Sequence, residues 1–296
     1  MLQFVTFLSN VFLLSVIDAE HQEQLAAPEM KRWSFGINVM ITELSATMIS
    51  SYKRCFRRFY LEYVEDLKPA VSSEALSVGS SYHENLENIL KGQEFNHDGL
   101  AGKMAEAFQK YVDYKSWQAA PEQDFKIRLS RGVYLKGRLD AVTQDGLPVE
   151  HKTTGSMGIE KYIDHLAYDD QISLYMLVTG KERAIYTVIQ KPTIRLKKDE
   201  TEEEYLERVS QWYDEEPERK ILTLNVVRTK TELEEKRQEI IALAKEMKHR
   251  KLFYRNPNTC MITSCPYASI CLNYEPDIQL AGFYKKERMN EELCKF

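Results

Sequence analysis

Five groups of side chains in this sequence could do chemistry together. Four are short segments, and they follow one another as Gly79-x3-His83-x3-Glu87, Gly137-Arg138-Leu139-Asp140, Glu150-His151-Lys152 and Gln171-x3-Tyr175. The fifth is a set of cysteines, namely Cys55, Cys260, Cys265 and Cys271. Carboxylate oxygens suit a hard divalent cation, whereas thiolates suit a soft-metal site. Each group alone occurs often by chance, so the prediction depends on their order and combination.

The central pair of carboxylates predicts a divalent metal site. Asp140 and Glu150 fall on two predicted antiparallel strands joined by a turn at Asp145-Gly146, which places them nearly opposite each other. Two carboxylates at that separation repel, and one holds its proton unless a cation such as Mg²⁺ or Mn²⁺ lies between them. Lys152 shares the strand face of Glu150, so it can orient the attacking water or stabilise charge on a phosphate. A strand with ordinary surface charges is the alternative for this triplet taken alone.

Two further segments could complete such a site. His83 lies on a predicted helix, and its imidazole nitrogen would bias a metal site toward Mn²⁺. Gln171 and Tyr175 are four residues apart and therefore share a helix face, from which they could hydrogen-bond a phosphate or a base. Considered alone, His83 could be a structural histidine, and Gln171 and Tyr175 could be an ordinary polar pair.

Three cysteines lie within twelve residues, and this spacing predicts metal ligation. Cys260-x4-Cys265-x5-Cys271 supplies three thiolates, and the fourth could be Cys55, in the polar segment SYKRCFRRFY, or Cys294. Four thiolates suit a [4Fe–4S] cluster or structural zinc. The sequence has no Cys-x2-Cys pair, which favours iron–sulfur over zinc. Free thiols are the remaining alternative.

The elements that must position these residues follow from hydrophobic periodicity. Helical spacing predicts three N-terminal helices: one that Ser45 can cap and that runs through Met48 to about Tyr63, and two over residues 74–90 and 100–117. Alternation then predicts strands over 125–129, 133–135, 139–142, 147–152, 183–190 and 221–227, with helices over 169–179, 202–213 and 231–253. Helices followed by strands with crossing helices predict one α/β domain.

The overall composition is that of an ordinary globular protein, with 296 residues of which 43% are hydrophobic and 29% charged. The net charge is −5, from 40 basic and 45 acidic residues, so nucleic-acid contact must come from local basic patches. Such patches lie at residues 53–58, 191–198 and 248–251, where a solvated face is the alternative. The odd count of five cysteines argues against a secreted disulfide framework. We therefore predict a reducing, cytoplasmic location and no membrane partner.

The N-terminus is predicted to lie outside the enzyme fold. Residues 4–17 are apolar but too short to span a bilayer, and they lack the positive segment of a signal peptide. We interpret residues 1–39 as an extension, which an upstream start codon would explain. A membrane anchor or a signal peptide is the minor alternative.

In their order along the chain, these segments resemble the RecB-like branch of the PD-(D/E)XK nuclease superfamily. Within that branch they are most similar to the iron–sulfur members, namely the AddB nuclease domain, the CRISPR-associated RecB-like exonucleases and phage relatives. The resemblance covers about residues 45–273 and rests on SYKRCFRRFYLEYVEDLKP, GSSYHENLE, GRLDAV, VEHKTT, DDQISLY and CPYASIC. Two positions depart from the pattern. Leu139 stands where the superfamily's name has proline, and four residues, where two are common, separate Cys260 from Cys265.

The resemblance implies a restriction-endonuclease-like core, with a central mixed sheet flanked by helices, N-terminal helices and a C-terminal cysteine-cluster tail. It implies one RecB-like nuclease domain over residues 40–296, with a cluster-binding segment at residues 254–273. The implied catalytic residues are Asp140, Glu150 and Lys152, and the implied ligands of Mg²⁺ or Mn²⁺ are His83, Asp140, Glu150 and the backbone carbonyl of His151. The implied nucleic-acid contacts are Gln171 and Tyr175, and the implied ligands of a [4Fe–4S] cluster are Cys55, Cys260, Cys265 and Cys271.

We therefore predict a metal-dependent DNA exonuclease that acts on single-stranded ends during recombination, repair, or CRISPR or phage DNA processing. The sequence has no G-x4-G-K-[ST] motif, so a helicase motor would be a separate chain. The predicted partners are DNA and a helicase, a recombinase or a CRISPR integrase subunit. The alternative from another class is a catalytically idle iron–sulfur subunit that binds nucleic acid or serves in assembly.

Overall fold

The computed structural model describes residues 43–71, 74–155, 158–262, 265–273 and 276–285. These residues all belong to one compact unit of the chain, Val39–Phe296. The predicted extension at residues 1–39 and the alternative ligand Cys294 lie outside the described residues. Within the described residues, no helix has both the length and the apolar character needed to cross a membrane.

The structure contains eight described strands and ten described helices, which we number separately in chain order. The strands are β1 Glu43–Leu44, β2 Leu67–Pro69, β3 Ala120–Ser130, β4 Val133–Val142, β5 Pro148–Thr154, β6 Arg183–Gln190, β7 Ile221–Val227 and β8 Phe283–Lys285. The helices are α1 Ala46–Arg54, α2 Phe56–Phe59, α3 Glu74–Leu90, α4 Gly99–Tyr111, α5 Gly158–His165, α6 Asp170–Thr179, α7 Glu202–Asp214, α8 Lys230–His249, α9 Pro257–Ile262 and α10 Ala268–Leu272.

Six strands form one mixed sheet in the order β1-β4-β5-β6-β7, with β3 paired antiparallel to β4. Strands β5 and β6 run parallel, whereas β4–β5 and β6–β7 are antiparallel. Parallel neighbours need a crossover connection, which α5 and α6 supply here. Strands β2 and β8 form a separate two-stranded sheet.

Helices cover both faces of the sheet, as the alternating side chains of β6 demonstrate. Tyr186 and Val188 pack on one face, in a cluster with residues of α5, α6 and α8. Ile189 packs on the other face, in a cluster with residues of α3, α4 and α7. A mixed sheet flanked by helices in this way is the α/β, restriction-endonuclease-like core that the sequence predicts, and this fold class is confirmed.

Strand β3 pairs with one edge of β4. Along the other edge, the pairing of β4 is interrupted. Strand β1 occupies that edge at residues 134–135, and β5 occupies it at residues 141–142. Between these contacts, residues 136–140 pair with no strand on that edge in the described sheet. We call residues 136–140 the strand gap. It places Asp140 beside an opening between β4 and β5.

Several predicted element boundaries agree with the structure. Helix α3 and strands β6 and β7 begin and end at the predicted residues. Ser45 caps α1 by accepting a hydrogen bond from the Met48 amide at 3.2 Å. Asp169 caps α6 in the same way, and Gly180 ends that helix with a φ of 68°. These boundaries are set by capping side chains and by glycine, which are local signals.

The first helix differs from its prediction, because it is interrupted at Cys55. Cys55 is extended, with φ −164° and ψ 119°, so α1 ends at Arg54 and α2 begins at Phe56. The Arg54 carbonyl instead accepts hydrogen bonds from the side chains of Asn256 and Thr259, at 2.9 and 3.2 Å. Contacts with the C-terminal segment therefore stabilise this break.

The other differences are smaller. The strands predicted over residues 133–135 and 139–142 form one continuous strand, β4, and the strand predicted over residues 125–129 is part of the longer β3. The helix predicted over residues 100–117 ends at Tyr111 and is followed by a 3-10 turn, and the helix predicted to reach residue 253 ends at His249. Helix α5 was not predicted, because its eight residues are too few for a clear periodic pattern.

Candidate active site

Asp140 lies in the strand gap, where its carboxylate takes the place of a ladder hydrogen bond. The Asp140 Oδ2 atom accepts a hydrogen bond from the His151 amide at 2.8 Å. The register between β4 and β5 stops one step earlier, at Ala141 and Val149. The structure thus places Asp140 opposite Glu150–His151, as the predicted turn at Asp145-Gly146 requires.

Glu150 and Lys152 point to the same side of β5. In the parallel register with β6 they lie beside Tyr186 and Val188, whose side chains face α5, α6 and α8. The Lys152 ammonium donates a hydrogen bond to Glu150 Oε1. Glu150 is 1% exposed, whereas the Lys152 side chain keeps 21% exposure and so reaches the surface. The pair therefore extends from the protein interior to solvent.

His83 approaches the same point from the other face of the sheet. It lies on α3, and its Nδ1 atom is 3.7 Å from Asp140 Oδ2. The His151 side chain faces this same side, since its Nδ1 atom is 2.6 Å from Thr187 Oγ1 and its ring contacts that of Phe108 in α4. The strand gap thus lets residues from both faces of the sheet meet at Asp140.

A chain of hydrogen bonds from α6 holds Lys152 in place. Lys152 donates to Gln171 Oε1 at 2.6 Å, and Gln171 Nε2 donates to the Tyr175 hydroxyl at 2.8 Å. The Tyr175 hydroxyl donates in turn to the Arg138 carbonyl at 2.7 Å. Gln171 and Tyr175 share a helix face, as their spacing predicts. In this structure that face contacts Lys152 and β4.

Burial shifts the acidity of these groups. Burial raises the pKa of Asp140 to about 6, and burial together with the charge of Asp140 raises the pKa of Glu150 to about 8. Burial lowers the pKa of His83, and it lowers the pKa of His151 to about 3, so the imidazoles are neutral at pH 7. Burial opposes the charge of Lys152, but the charge of Glu150 outweighs it and raises the pKa of Lys152, which stays cationic.

These residues fit a divalent cation. The Glu150 Oε2 atom is buried and has no hydrogen-bond partner, and the same is true of His151 Nε2. A buried carboxylate oxygen without a partner is costly, and a hard cation would satisfy it. In the described chain, however, no three His, Cys, Asp or Glu side chains are already arranged to hold a metal ion.

The four predicted cluster ligands lie near enough to one another for their charges to interact. Desolvation and the charges of Cys55, Cys265 and Cys271 all raise the pKa of Cys260. All four are free thiols, with Cys55 and Cys271 buried and Cys260 exposed. In the described part of the chain, no three of these thiols are arranged as a preformed metal site.

Hydrogen bonds join the polypeptide around the thiols to the first helices. The Arg57 amide donates to the Tyr254 carbonyl at 3.1 Å. Arg255 donates to the Cys271 carbonyl at 2.5 Å. The Arg57 bond and the bonds from Asn256 and Thr259 to Arg54 attach the C-terminal segment to α1 and α2, whereas the Arg255 bond lies within that segment.

Sequence reasoning missed two residues that contact the site. Thr187 holds the His151 ring, and only its register with His151 reveals it. Asp169 accepts hydrogen bonds from the Tyr186 hydroxyl and from the first amides of α6, and its charge acts on Glu150 and Lys152. An acidic residue just before a predicted helix is a capping signal that could have identified it.

A family comparison agrees with this geometry. A sequence model of the PD-(D/E)XK nuclease superfamily matches residues 43–124 and 92–272. The chain belongs to the PD-(D/E)XK nuclease superfamily. The matched residues of this PD-(D/E)XK protein include His83, Asp140, Glu150, Lys152 and Gln171. No curated protein matches the chain.

Solved structures similar to this PD-(D/E)XK protein include SSO0001, at 17% identity and a TM-score of 0.41, over 79% of this chain and 84% of that one. A phage related exonuclease from Haemophilus somnus 129PT is 15% identical with a TM-score of 0.32, over 60% and 87% of the two chains. An alkaline exonuclease, LHK-Exo from Laribacter hongkongensis, is 12% identical with a TM-score of 0.30, over 74% and 94%. The family assignment rests on the sequence match and not on these likenesses.

Proposed function

We propose that this PD-(D/E)XK protein is a metal-dependent DNA exonuclease that hydrolyses phosphodiester bonds from single-stranded ends. The observation that carries the proposal is the buried Glu150 Oε2 atom, which has no partner and lies beside Asp140 and a cationic Lys152. Such an arrangement is unfavourable until a cation binds. Family membership supports the choice of a nucleic acid as the substrate.

Each residue would have a distinct role in this reaction. Asp140, Glu150, His83 and the His151 carbonyl would hold Mg²⁺ or Mn²⁺, which when bound supplies Lewis-acid activation of a phosphate and its attacking water. Lys152, fixed by Gln171, would stabilise the negative charge that develops on the phosphate oxygens. Tyr175 would act one step further away, by orienting Gln171. This role adds to the nucleic-acid contact predicted for Gln171 and Tyr175.

We also propose that Cys55, Cys260, Cys265 and Cys271 bind a [4Fe–4S] cluster. The charges of Cys55, Cys265 and Cys271 raise the pKa of Cys260, and hydrogen bonds hold the chain around these thiols in place. Both observations support one group bound by all four thiols. Thiolates are the usual ligands of such clusters. The cluster would be structural, because the cysteines are separate from the Asp140, Glu150 and Lys152 group. We further propose that the protein acts in the reducing cytoplasm. Its protein partner there would be a helicase, a recombinase or a CRISPR integrase.

The test is digestion of end-labelled single-stranded oligonucleotides with Mg²⁺, Mn²⁺ or EDTA, using substrates blocked at either end and a circular strand. We expect cleavage of linear strands with a cation and none with EDTA. Lys152→Ala and Glu150→Gln should each reduce kcat by about a hundredfold or more, because each removes a charge needed at the transition state.

The control is Lys230→Ala, since Lys230 is a highly exposed lysine, 88% accessible, at the start of α8. It should cleave at the wild-type rate, and circular dichroism should be alike for all variants. Wild-type rates in Lys152→Ala would refute the site assignment. Equal cutting of the circular strand would leave a nuclease but exclude an exonuclease.

A further inference from the structure

The segment of residues 191–198 stands out among the three basic patches of the chain. It is the first part of the loop between β6 and α7, residues 191–201, and it contains four cationic residues, namely Lys191, Arg195, Lys197 and Lys198. Asp199 and Glu200 follow it, and Glu200 forms an ion pair with Arg208 at 2.7 Å. Of the four cationic residues, three are exposed, and Lys191 is half-buried. Neither Arg195 nor Lys198 forms an ion pair with any described residue. By contrast, Lys53 in the first patch pairs with Asp170 at 2.6 Å.

This loop begins beside the candidate active site. The Lys191 amide donates to the Thr154 carbonyl at 2.8 Å. Thr154 is two residues beyond Lys152 on β5, so their Cα atoms are at most about 7.6 Å apart. Strands β5 and β6 are parallel, and the carboxyl ends of such strands are where open α/β sheets bind ligands.

Lys191 also lies on the same side as His83. A Cβ atom built on Gly79 would be 4.0 Å from Lys191 Nζ and 3.7 Å from Thr153 Oγ1. Gly79 and His83 are four residues apart on α3, about 6 Å along the helix axis, and they share a face. The missing side chain of Gly79 thus leaves space for the Lys191 ammonium one helical turn from His83.

The rest of the loop is held in place by α7. The Tyr205 hydroxyl donates to the Ile194 carbonyl at 3.2 Å, and Arg208 donates to the Arg195 carbonyl at 2.9 Å. Ile194 packs against the core cluster on the α3 face. These contacts use backbone carbonyls and an apolar side chain, so they fix the loop while its charged side chains remain exposed to solvent.

We propose that residues 191–198 hold the phosphate backbone of the DNA strand whose end enters the strand gap, with Lys191 nearest the site. This inference rests on the proposed nuclease function and names the path of its substrate. Several cations on a loop that is held in place and begins beside the site match the charge of a nucleic-acid backbone. Since the whole chain has a net charge of −5, a local cationic surface is needed for binding.

The test is fluorescence anisotropy of a labelled single-stranded oligonucleotide in EDTA, so that no strand is cut, across a series of salt concentrations. The loop variant is Arg195→Gln, Lys197→Gln and Lys198→Gln in one chain. Each phosphate contact contributes about 0.7 to the slope of log affinity against log salt, so the slope should become shallower by about 2. Affinity at moderate salt should fall by roughly tenfold to a hundredfold.

The matched control is Arg183→Gln, Lys230→Gln and Lys245→Gln, which removes the same charge from exposed residues outside the three basic patches. Lys230 and Lys245 lie on α8, which packs on the opposite face of the sheet from α3, and Arg183 begins β6, at the end of that strand away from Lys191. We expect its slope to stay near the wild-type value. In cleavage assays with Mn²⁺, the loop variant should raise KM and keep kcat, with no loss of thermal stability.

Each other result has a definite meaning. Equal slope changes in the loop and control variants would mean that only net charge matters, and the proposal would fall. A loop variant with the wild-type slope would also overturn it, while cleavage by the wild-type protein would leave the nuclease function intact. A wild-type protein that neither binds nor cuts DNA would end both proposals.

Discussion

Individual carboxylates in this site are held in an environment that disfavours their charge. Burial raises the pKa of Asp140 to about 6, and burial together with the charge of Asp140 raises the pKa of Glu150 to about 8. Lys152 compensates only one oxygen of Glu150. The metal-free protein therefore holds a proton on Glu150 at neutral pH, and a bound cation has to displace it.

The affinity for Mn²⁺ should consequently rise with pH. Between pH 6 and pH 8, each proton displaced strengthens binding by up to about tenfold per pH unit, because protonated carboxyls must ionise before they bind a cation. Calorimetric titration of metal into EDTA-treated, dialysed protein at several pH values would measure this. An affinity that does not change across this range would contradict the raised pKa values of Asp140 and Glu150.

The same shifts give the metal-free fold a pH dependence of stability. The folded pKa of Glu150 lies above its unfolded value of about 4.5, so the native state binds more protons than the unfolded state between these values. The free energy of unfolding without metal should therefore fall as pH rises from about 4.5 towards 8. Urea unfolding in EDTA tests this, with Glu235→Gln as an exposed control that keeps the slope and Glu150→Gln as the variant that reduces it.

At the scale of single elements, α6 positions the catalytic lysine through two residues one turn apart. Gln171 contacts Lys152 directly, whereas Tyr175 contacts Gln171 and the Arg138 carbonyl of β4. The helix is fixed at its start by Asp169 and at its end by Gly180. Its position thus determines where the Lys152 ammonium lies.

Tyr175→Phe should lower kcat by about tenfold with little change in KM, because it releases Gln171 and so loosens Lys152. The matched control is Tyr213→Phe on α7, where another buried tyrosine hydroxyl donates to a backbone carbonyl, that of Gln190, at 2.7 Å. Both variants should lose similar thermal stability. If steady-state kinetics gave equal kcat values for Tyr175→Phe and Tyr213→Phe, the proposed positioning role of Tyr175 would be wrong.

The elements that carry the site were largely predictable, because local signals define them. Helix α3 has a clear periodicity, β6 is a short apolar run, and Asp169 and Gly180 mark the ends of α6. The break at Cys55 was not predictable in this way. It is stabilised by side chains about two hundred residues away, and a local pattern contains no information about such contacts.

The site itself was predicted as a set of residues but not as an arrangement. Alternation correctly placed Glu150 and Lys152 on one face of β5. Nothing in the sequence indicated that β4 and β5 would separate beside Asp140, or that His83 would approach from the opposite face of the sheet. That separation depends on which strands share the edge of β4, which is a property of the whole sheet.

At the scale of the whole molecule, the four cysteines proposed as cluster ligands come from segments far apart in the chain. Cys55 follows the first helix, and the other three cysteines lie about two hundred residues later. Closing so long a segment of the unfolded chain costs conformational entropy, which a cluster bound only in the folded state would offset. The cluster should therefore contribute more to stability than to the reaction.

Anaerobically purified protein should be brown, with about four iron and four sulfide per chain. Cys55→Ser should lose the iron and lower the Tm, while single-turnover cleavage at low temperature changes little. Cys294→Ser is the control and should keep its iron, although this residue lies outside the described chain. Stoichiometric zinc without iron would exclude the iron–sulfur assignment. Iron loss in Cys294→Ser but not in Cys55→Ser would mean that Cys294, and not Cys55, is the fourth ligand.

The strand gap has a mechanical consequence. In the described sheet, β4 pairs with β5 only through Ala141–Val149 and Val142–Pro148, whereas β5 and β6 pair through six residue pairs. The sheet thus consists of two stiff halves joined by a short hinge, with Asp140 on one half and Glu150 on the other.

A cation held by both carboxylates would bridge the hinge and lock the halves together, so catalytic competence and sheet rigidity would be acquired in a single event. Backbone amides of residues 141–149 should then exchange with deuterium more slowly in Mn²⁺ than in EDTA, while those of β7 stay unchanged. Without a cation, only two residue pairs hold β4 to β5 in the described sheet, and thermal motion at this hinge would change the distance between the two carboxylates.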